Sequence, residues 1–319
     1  MLLGLIVSLG AALVPTLIYV LLFYWADRYE REPLRLAFVA FIWGAIPAIV
    51  ISLIAEVTLG TPLLQNPSAL AADLMEGAVV APIVEELAKG MALLWIFYRY
   101  RQEFDGVLDG LVYGALVGFG FAMTENFFYF VGAFMESGWG GLTVLIYLRA
   151  VVFGLNHALY TGLMGIGLGM ARNRRHPLAR LGWILAGLLM AILTHAFHNL
   201  GAGLASVSLL GFALSLFTAA AGLGLLLLAV GIAWQQERNT IHAELSGEVG
   251  ALLSVEELEH LTGRWRRPAH PAQRTRARLL VEFANRKRRL RLRGPEREPE
   301  LPGELAALRA QLAAAPEQA

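Results

Sequence analysis

No cysteine occurs in the 319 residues, which excludes a disulfide framework, a thiolate metal site and a cysteine nucleophile and leaves the redox compartment undetermined. Charge is scarce too. Asp, Glu, Lys and Arg make up 16% of the chain against 57% hydrophobic residues, and the mean hydropathy of +0.57 is far above that of a soluble domain of this length. The HExxH spacing of zinc peptidases is missing, and no repeat relates the halves of the apolar region. The first apolar segment lacks a basic region ahead of it and is too long for a signal peptide, so it reads as a permanent span. What remains is a polytopic membrane protein.

Apolar runs able to cross about 30 Å of hydrocarbon at about 1.5 Å per residue fall near 2–24, 36–59, 78–98, 107–134, 142–170, 181–203 and 207–234. They predict an all-α bundle of about seven transmembrane helices over residues 1–234, followed by a short polar cytoplasmic tail, 235–319, partly helical or disordered. Arg28, Arg31 and Arg35 follow the first run, Arg99 and Arg101 the third, and Arg172, Arg174, Arg175 and Arg180 the fifth; the connections after the second, fourth and sixth carry no Lys or Arg. Cations on alternate connections put the N-terminus outside and the C-terminus in the cytoplasm. Of the 26 Lys and Arg residues, 15 come after Trp234, most densely in Arg286-Lys287-Arg288-Arg289-Leu290-Arg291-Leu292-Arg293. Such a run suits anionic headgroups or nucleic acid. A solvated helix beside a negatively charged leaflet is the simpler reading, so anionic lipids are expected near the tail and nucleic acid is not.

Glu85 and Glu86 stand side by side in an otherwise apolar run. A charge at bilayer depth costs about 2.5 to 3.5 kcal/mol even on the lenient insertion scale, so adjacent carboxylates need partners, water or chemistry. With helical rise as the ruler, the pair lies roughly 10 to 12 Å below the outer end of its span, Glu125 and His195 about 12 to 13 Å below theirs, and His157 roughly 18 to 22 Å deep. Phase agrees with depth. Lys89 follows Glu85 by four residues and Glu86 by three, within reach of either. Gly106, Gly110, Gly114 and Gly118 form a small-residue ridge for close helix approach, and Glu125 falls near the same face. Arg149, His157 and Thr161 recur at spacings of eight and four, and His195 and Asn199 at four. His198 reads as an interhelical hydrogen-bonding residue, and a lone Glu–Lys pair would read as a packing ion pair. Three carboxylates, two histidines, a lysine and an arginine at related depths exceed what packing requires.

Amide hydrolysis needs a base to activate water and donors to hold an oxyanion, and this set supplies both. Thr161 and Thr194 offer no competing nucleophile, each being explained by packing or by hydroxyl bonding to the backbone. Two routes stay open. Glu125, His157 and His195 can supply three ligands to a single divalent metal such as zinc, with Glu85 or Glu86 as base. Alternatively a glutamate and a histidine activate water with no cofactor, Lys89 balancing the paired charge. A proton-coupled transporter would use the same groups as a relay, although no pair of correspondingly interrupted helices is evident. A catalytically inactive membrane scaffold would gain little from such costly residues.

Glu85-Glu86-x-x-Lys89, Phe121-x-x-x-Glu125-Asn126, Arg149 followed by His157-x-x-x-Thr161, and His195-x-x-x-Asn199, in that order, resemble the PrsW family of bacterial intramembrane proteases. That family belongs with the CAAX prenyl endopeptidases and bacteriocin-processing proteins. The resemblance covers roughly residues 10–235 and leaves the tail outside. It implies a hydrolase of the bacterial cytoplasmic membrane that cleaves a single-span membrane protein near the outer face, in the family an anti-sigma factor cut at site 1. It further implies Glu85 and Glu86 as catalytic carboxylates, His157 and His195 as essential, and Asn199 as a candidate oxyanion donor, with Glu125 in the same catalytic set and Lys89, Asn126, Arg149 and Thr161 in support. Where CAAX-type relatives end the second motif in histidine, this chain has Glu125. The partner of the base is thereby left open, His157 being the best substitute, and so is the involvement of metal.

Overall fold

The computed structural model describes residues 1–26, 32–63, 69–172, 174–263, 271–296 and 298–314, so that Arg28 and Arg31 of the first basic connection lie outside the described residues. The regular structure among the described residues is helical, as the bilayer demands of a backbone that must satisfy its own polar groups. Two compact units are present, one formed by Met1–Asp27 and Glu32–Ala229, the other chiefly by Val230–Ala319.

The first unit contains α1 (Leu2–Ala26), α2 (Leu34–Trp43), α3 (Ile49–Leu63), α4 (Ala69–Met75), α5 (Ala81–Arg99), α6 (Val107–Ile146), α7 (Asn156–Arg172), α8 (Pro177–Leu204) and most of α9 (Leu209–Leu245). Five runs among the described residues are long and apolar enough to cross a membrane: Leu2–Trp25, Leu34–Leu59, Val107–Arg172, Pro177–Leu204 and Leu209–Glu248. The count differs from seven in two places. At 19 residues α5 is about 28 Å long, but Glu85, Glu86, Lys89 and Arg99 make it too charged to qualify on composition. The run Val107–Arg172, at 66 residues, is far longer than one crossing requires and changes course inside. Gly138 (φ 62°) interrupts α6, and a π-helical turn at Tyr147–Val152 followed by irregular backbone at 153–155 separates α6 from α7. The expectation of one continuous helix over 142–170 is therefore corrected. His157 lies in the first turn of α7, and its phase relative to Arg149 is reset by the break.

The glycine ridge explains how α6 and α7 meet. A Cβ placed at Gly110 would stand 2.1 Å from the carbonyl oxygen of Gly165, one at Gly114 2.5 Å from that of Thr161, and one at Gly118 2.2 Å from that of His157. A Cβ at Gly169 would stand 2.3 Å from the Gly106 carbonyl. Each step of four up α6 thus meets a step of four down α7: the helices are antiparallel with backbones in contact, as small residues permit in lipid. On another face of α6, a Cβ at Gly120 would stand 2.0 Å from the Phe41 carbonyl, so α2 crosses equally close.

A second π-helical turn, Glu76–Val80, leads into α5. The Ala81 N–H donates to the Glu76 carbonyl, five residues back. The next residue, Pro82, has no N–H to continue the pattern onto Gly77. Asn199 of α8 fills that place, its Nδ2 donating to the Gly77 carbonyl at 2.8 Å.

The second unit packs α10 (Val255–Thr262), α11 (Pro271–Arg293) and α12 (Leu301–Ala314) with the end of α9 around Ile241, Leu245, Leu258, Leu280, Phe283 and Leu308. Ser254 and Glu257 form a capping box at the start of α10. Buried Arg276 donates to the carbonyls of Leu252 and Leu312 and to Glu257, tying three segments together. Within the cationic run, Arg286 pairs with Glu282, Lys287 with Glu248, Arg289 with Glu298 and Arg291 with Glu244. Much of the charge that suggested an anionic partner is thus neutralised inside the unit.

Candidate active site

Four helices bring the polar residues of the first unit together. α5 contributes Glu85, Glu86 and Lys89, α6 Glu125 and Asn126, α7 His157, Tyr160 and Thr161, and α8 His195. Glu86, Lys89 and Thr161 are fully buried, and His195 and Glu85 are nearly so. Burying charges in this way is tolerable only if each finds a partner. They do.

Lys89 is the centre. Its Nζ donates to Glu85 Oε2 at 2.9 Å and to Glu86 Oε1 at 2.8 Å, the contacts that the helical spacing predicts, and lies 3.1 Å from His157 Nδ1. The ring of Phe121 closes another side, its centroid 3.7 Å from Nζ. An ammonium has only protons to offer, so His157 Nδ1 is the acceptor and the ring proton belongs on Nε2. That nitrogen faces Glu125 Oε2 at 2.9 Å. Glu125 is held in turn by Arg149 Nη2 at 2.6 Å, while Arg149 Nε donates to Asn126 Oδ1 at 2.7 Å. A chain of contacts from Arg149 to Glu125 to His157 therefore fixes one imidazole tautomer.

Glu86 uses both carboxylate oxygens. Oε1 receives Lys89 and faces His195 Nδ1 at 3.1 Å, and Oε2 accepts the Thr161 hydroxyl at 3.0 Å. His195 Nδ1 thus carries a ring proton toward Glu86 Oε1, and Nε2 stands 3.9 Å from Glu85 Oε2. Tyr160 stacks on His195 with centroids 4.5 Å apart and planes at 16°.

Most of the expected residues meet here, with differences in role. The ligating atoms of Glu85, Glu86, His157 and His195 lie within 4.8 Å of one another. Glu125 stands one step back, between Arg149 and His157, rather than in a compact set with His157 and His195. Thr161 bonds Glu86 instead of the backbone. Asn199 is turned to the Gly77 carbonyl. His198 accepts from or donates to Ser215 Oγ at 2.8 Å, linking α8 to α9, and Thr194 bonds the Met190 carbonyl in its own helix. Tyr160 belongs to the site through its stacking on His195 and falls outside the motifs. Its position three residues after His157 and one before Thr161 is the signal that could have found it.

The donor set of two carboxylates and two imidazoles fits a divalent metal such as zinc. The cation already among three of these groups, the Lys89 ammonium, marks the same point as favourable to positive charge.

Buried, mutually oriented carboxylates and imidazoles in a helical membrane bundle are groups that an intramembrane hydrolase can use. Residues 32–234 match the family model described as PrsW family intramembrane metalloprotease, and the chain belongs to that family. It is similar to Protease PrsW of Geobacillus kaustophilus (strain HTA426), 29% identical over 195 residues that cover 60% of this chain and 77% of the relative. Protease PrsW of Bacillus subtilis (strain 168) is 28% identical over 191 residues, covering 60% and 80%, and that of Clostridioides difficile (strain 630) 29% over 188 residues, covering 59% and 76%. No solved structure gives a significant match. The chain is therefore a multi-pass membrane protein of a peptidase family, acting on a protein substrate.

Proposed function

We propose that this protein cleaves a single-span membrane protein, of the kind an anti-sigma factor represents, by water activated at Glu85 and Glu86. The observation that carries the reading is the convergence of Glu85, Glu86, His157 and His195 from three helices in a buried site. Among the described residues, the polar contacts of Glu85 run through Oε2, whereas Glu86 is engaged at both oxygens. Glu85 is thus the better base and Glu86 the residue that orients Lys89, Thr161 and His195. His195 Nε2, facing Glu85, is placed to take up the proton that Glu85 draws from water and pass it to the leaving amine.

A single divalent metal, zinc by its donors, would be held by the two imidazoles with Glu85 or Glu86. When bound it would supply Lewis-acid polarisation of the scissile carbonyl and a more acidic water. The contact of Lys89 with both carboxylates favours a second, metal-free route in which the ammonium balances their charge. Asn199 is not assigned the oxyanion, since its amide is engaged at Gly77. The test is purified protein in proteoliposomes with candidate single-span substrates. Cleavage is expected, to be lost with a chelator and regained with zinc. Full activity in demonstrably metal-free protein would leave the glutamate–histidine route, and no cleavage of any candidate accompanied by proton flux would favour the transporter.

The reversal inside Val107–Arg172 and the length of α5 support seven crossings, and the alternating Arg content of the connections supports an outside N-terminus and a cytoplasmic tail in the bacterial cytoplasmic membrane. Single cysteines introduced at positions 66 and 138 should react with an impermeant reagent in intact cells, and those at 103 and 175 should not. Labelling at 175 would overturn the orientation. The internal ion pairs of the tail weaken the expectation of anionic lipid there.

A further inference from the structure

We infer that Lys89 is a tethered cation occupying the point a divalent metal would take, so that its ammonium and the metal hold this site alternately. The inference rests on the metal-bound form of the proposed function. Nζ lies 2.9, 2.8 and 3.1 Å from Glu85, Glu86 and His157, three of the four groups whose ligating atoms lie within 4.8 Å of one another. The lone pairs engaged are the ones a metal needs. With the Nε2 proton of His157 given to Glu125, Nδ1 is the nitrogen left to ligate, and it faces Nζ. A zinc ion binds such atoms at about 2.0 to 2.2 Å. No room exists among them for an ammonium at hydrogen-bonding distance as well, and two cations sharing oxygens in a dry interior repel strongly.

In the absence of metal, Lys89 does what the metal otherwise would: it keeps two adjacent carboxylates from repelling each other and holds His157 in its tautomer. The site is thus preformed before loading. Loading requires Nζ to leave the carboxylates, and the affinity of the wild-type protein is reduced by that competition.

The experiment is a zinc titration of the purified full-length protein and its Lys89→Met variant in detergent, against a chromogenic competing chelator, with folding followed by circular dichroism and size exclusion. Folded Lys89→Met is expected to bind zinc at least roughly tenfold more tightly than wild type, equivalent to about 1.4 kcal/mol. A residue with only a structural role would move affinity the other way. Lys89→Gln, which retains polarity without charge, carries the same expectation and serves if the methionine variant does not fold; failure of both to hold their fold, or equal or weaker binding in a folded variant, overturns the inference. Equal affinity in variant and wild type leaves the metal route standing. Absence of zinc binding in both removes the metal route together with the inference, and leaves proteolysis to be judged by the chelator experiment.

Discussion

Glu85→Gln is expected to lose cleavage by about two to four orders of magnitude, the contribution typical of a positioned general base, and Glu86→Gln to lose it comparably by releasing the groups that Glu86 orients. Glutamine preserves volume but changes donors and acceptors differently at the two positions. At Glu85 it removes the negative charge from the residue with the simpler contact pattern, so the lesion should fall mainly on turnover. At Glu86 the amide must face Lys89, Thr161 and His195, all of which are donors in the present arrangement. Glu86→Gln should therefore also lower thermal stability, since a buried lysine loses one of its two carboxylates. Measuring initial rates beside melting temperatures separates the effects. Wild-type rates in both variants, with normal folding, would sink the proposed mechanism.

Gly118→Ala is expected to destabilise the protein by about 1 to 3 kcal/mol, the usual cost of overpacking, and to slow cleavage by about a hundredfold. The added methyl would stand 2.2 Å from the His157 carbonyl, a distance that backbone cannot accommodate without movement. α7 must retreat, and the first thing it moves is His157. Gly132→Ala supplies the control. It lies on the same helix with nothing within 4 Å of the added methyl, so it should be neutral or slightly stabilising. Equal melting temperatures and rates for Gly118→Ala and wild type would show that the α6–α7 contact is looser than the ridge implies.

The parts of this site that sequence disclosed are those set by local periodicity. Lys89 reaches Glu85 and Glu86 because three- and four-residue spacings superpose on a helix, and the glycine ridge of α6 is legible from its interval alone. Which helix the ridge faces was not legible, because the complementary carbonyls of α7 come from residues about 40 to 60 positions later, with a chain reversal between. Asn199 shares a helical face with His195, yet its amide goes to a carbonyl left without its donor by Pro82 within a π-helical turn, an irregularity that periodicity cannot register. The spacing of eight between Arg149 and His157 runs through a helix that breaks at 153–155; the two meet through Glu125 instead. The depth of Glu125 matches that of His195, but depth does not distinguish a group in the centre from one that orients it.

The charges of α5 also bear on how the chain enters the membrane. Glu85, Glu86 and Lys89 emerge from synthesis well before His157, Thr161 and His195, their later partners in the fold. Pairing within α5 offsets part of the cost of inserting three charges, but the desolvated contacts form only once α7 and α8 have arrived. The contacts that compensate the charges of α5 are the same contacts that build the site, so that assembly of the bundle and completion of the site are one event.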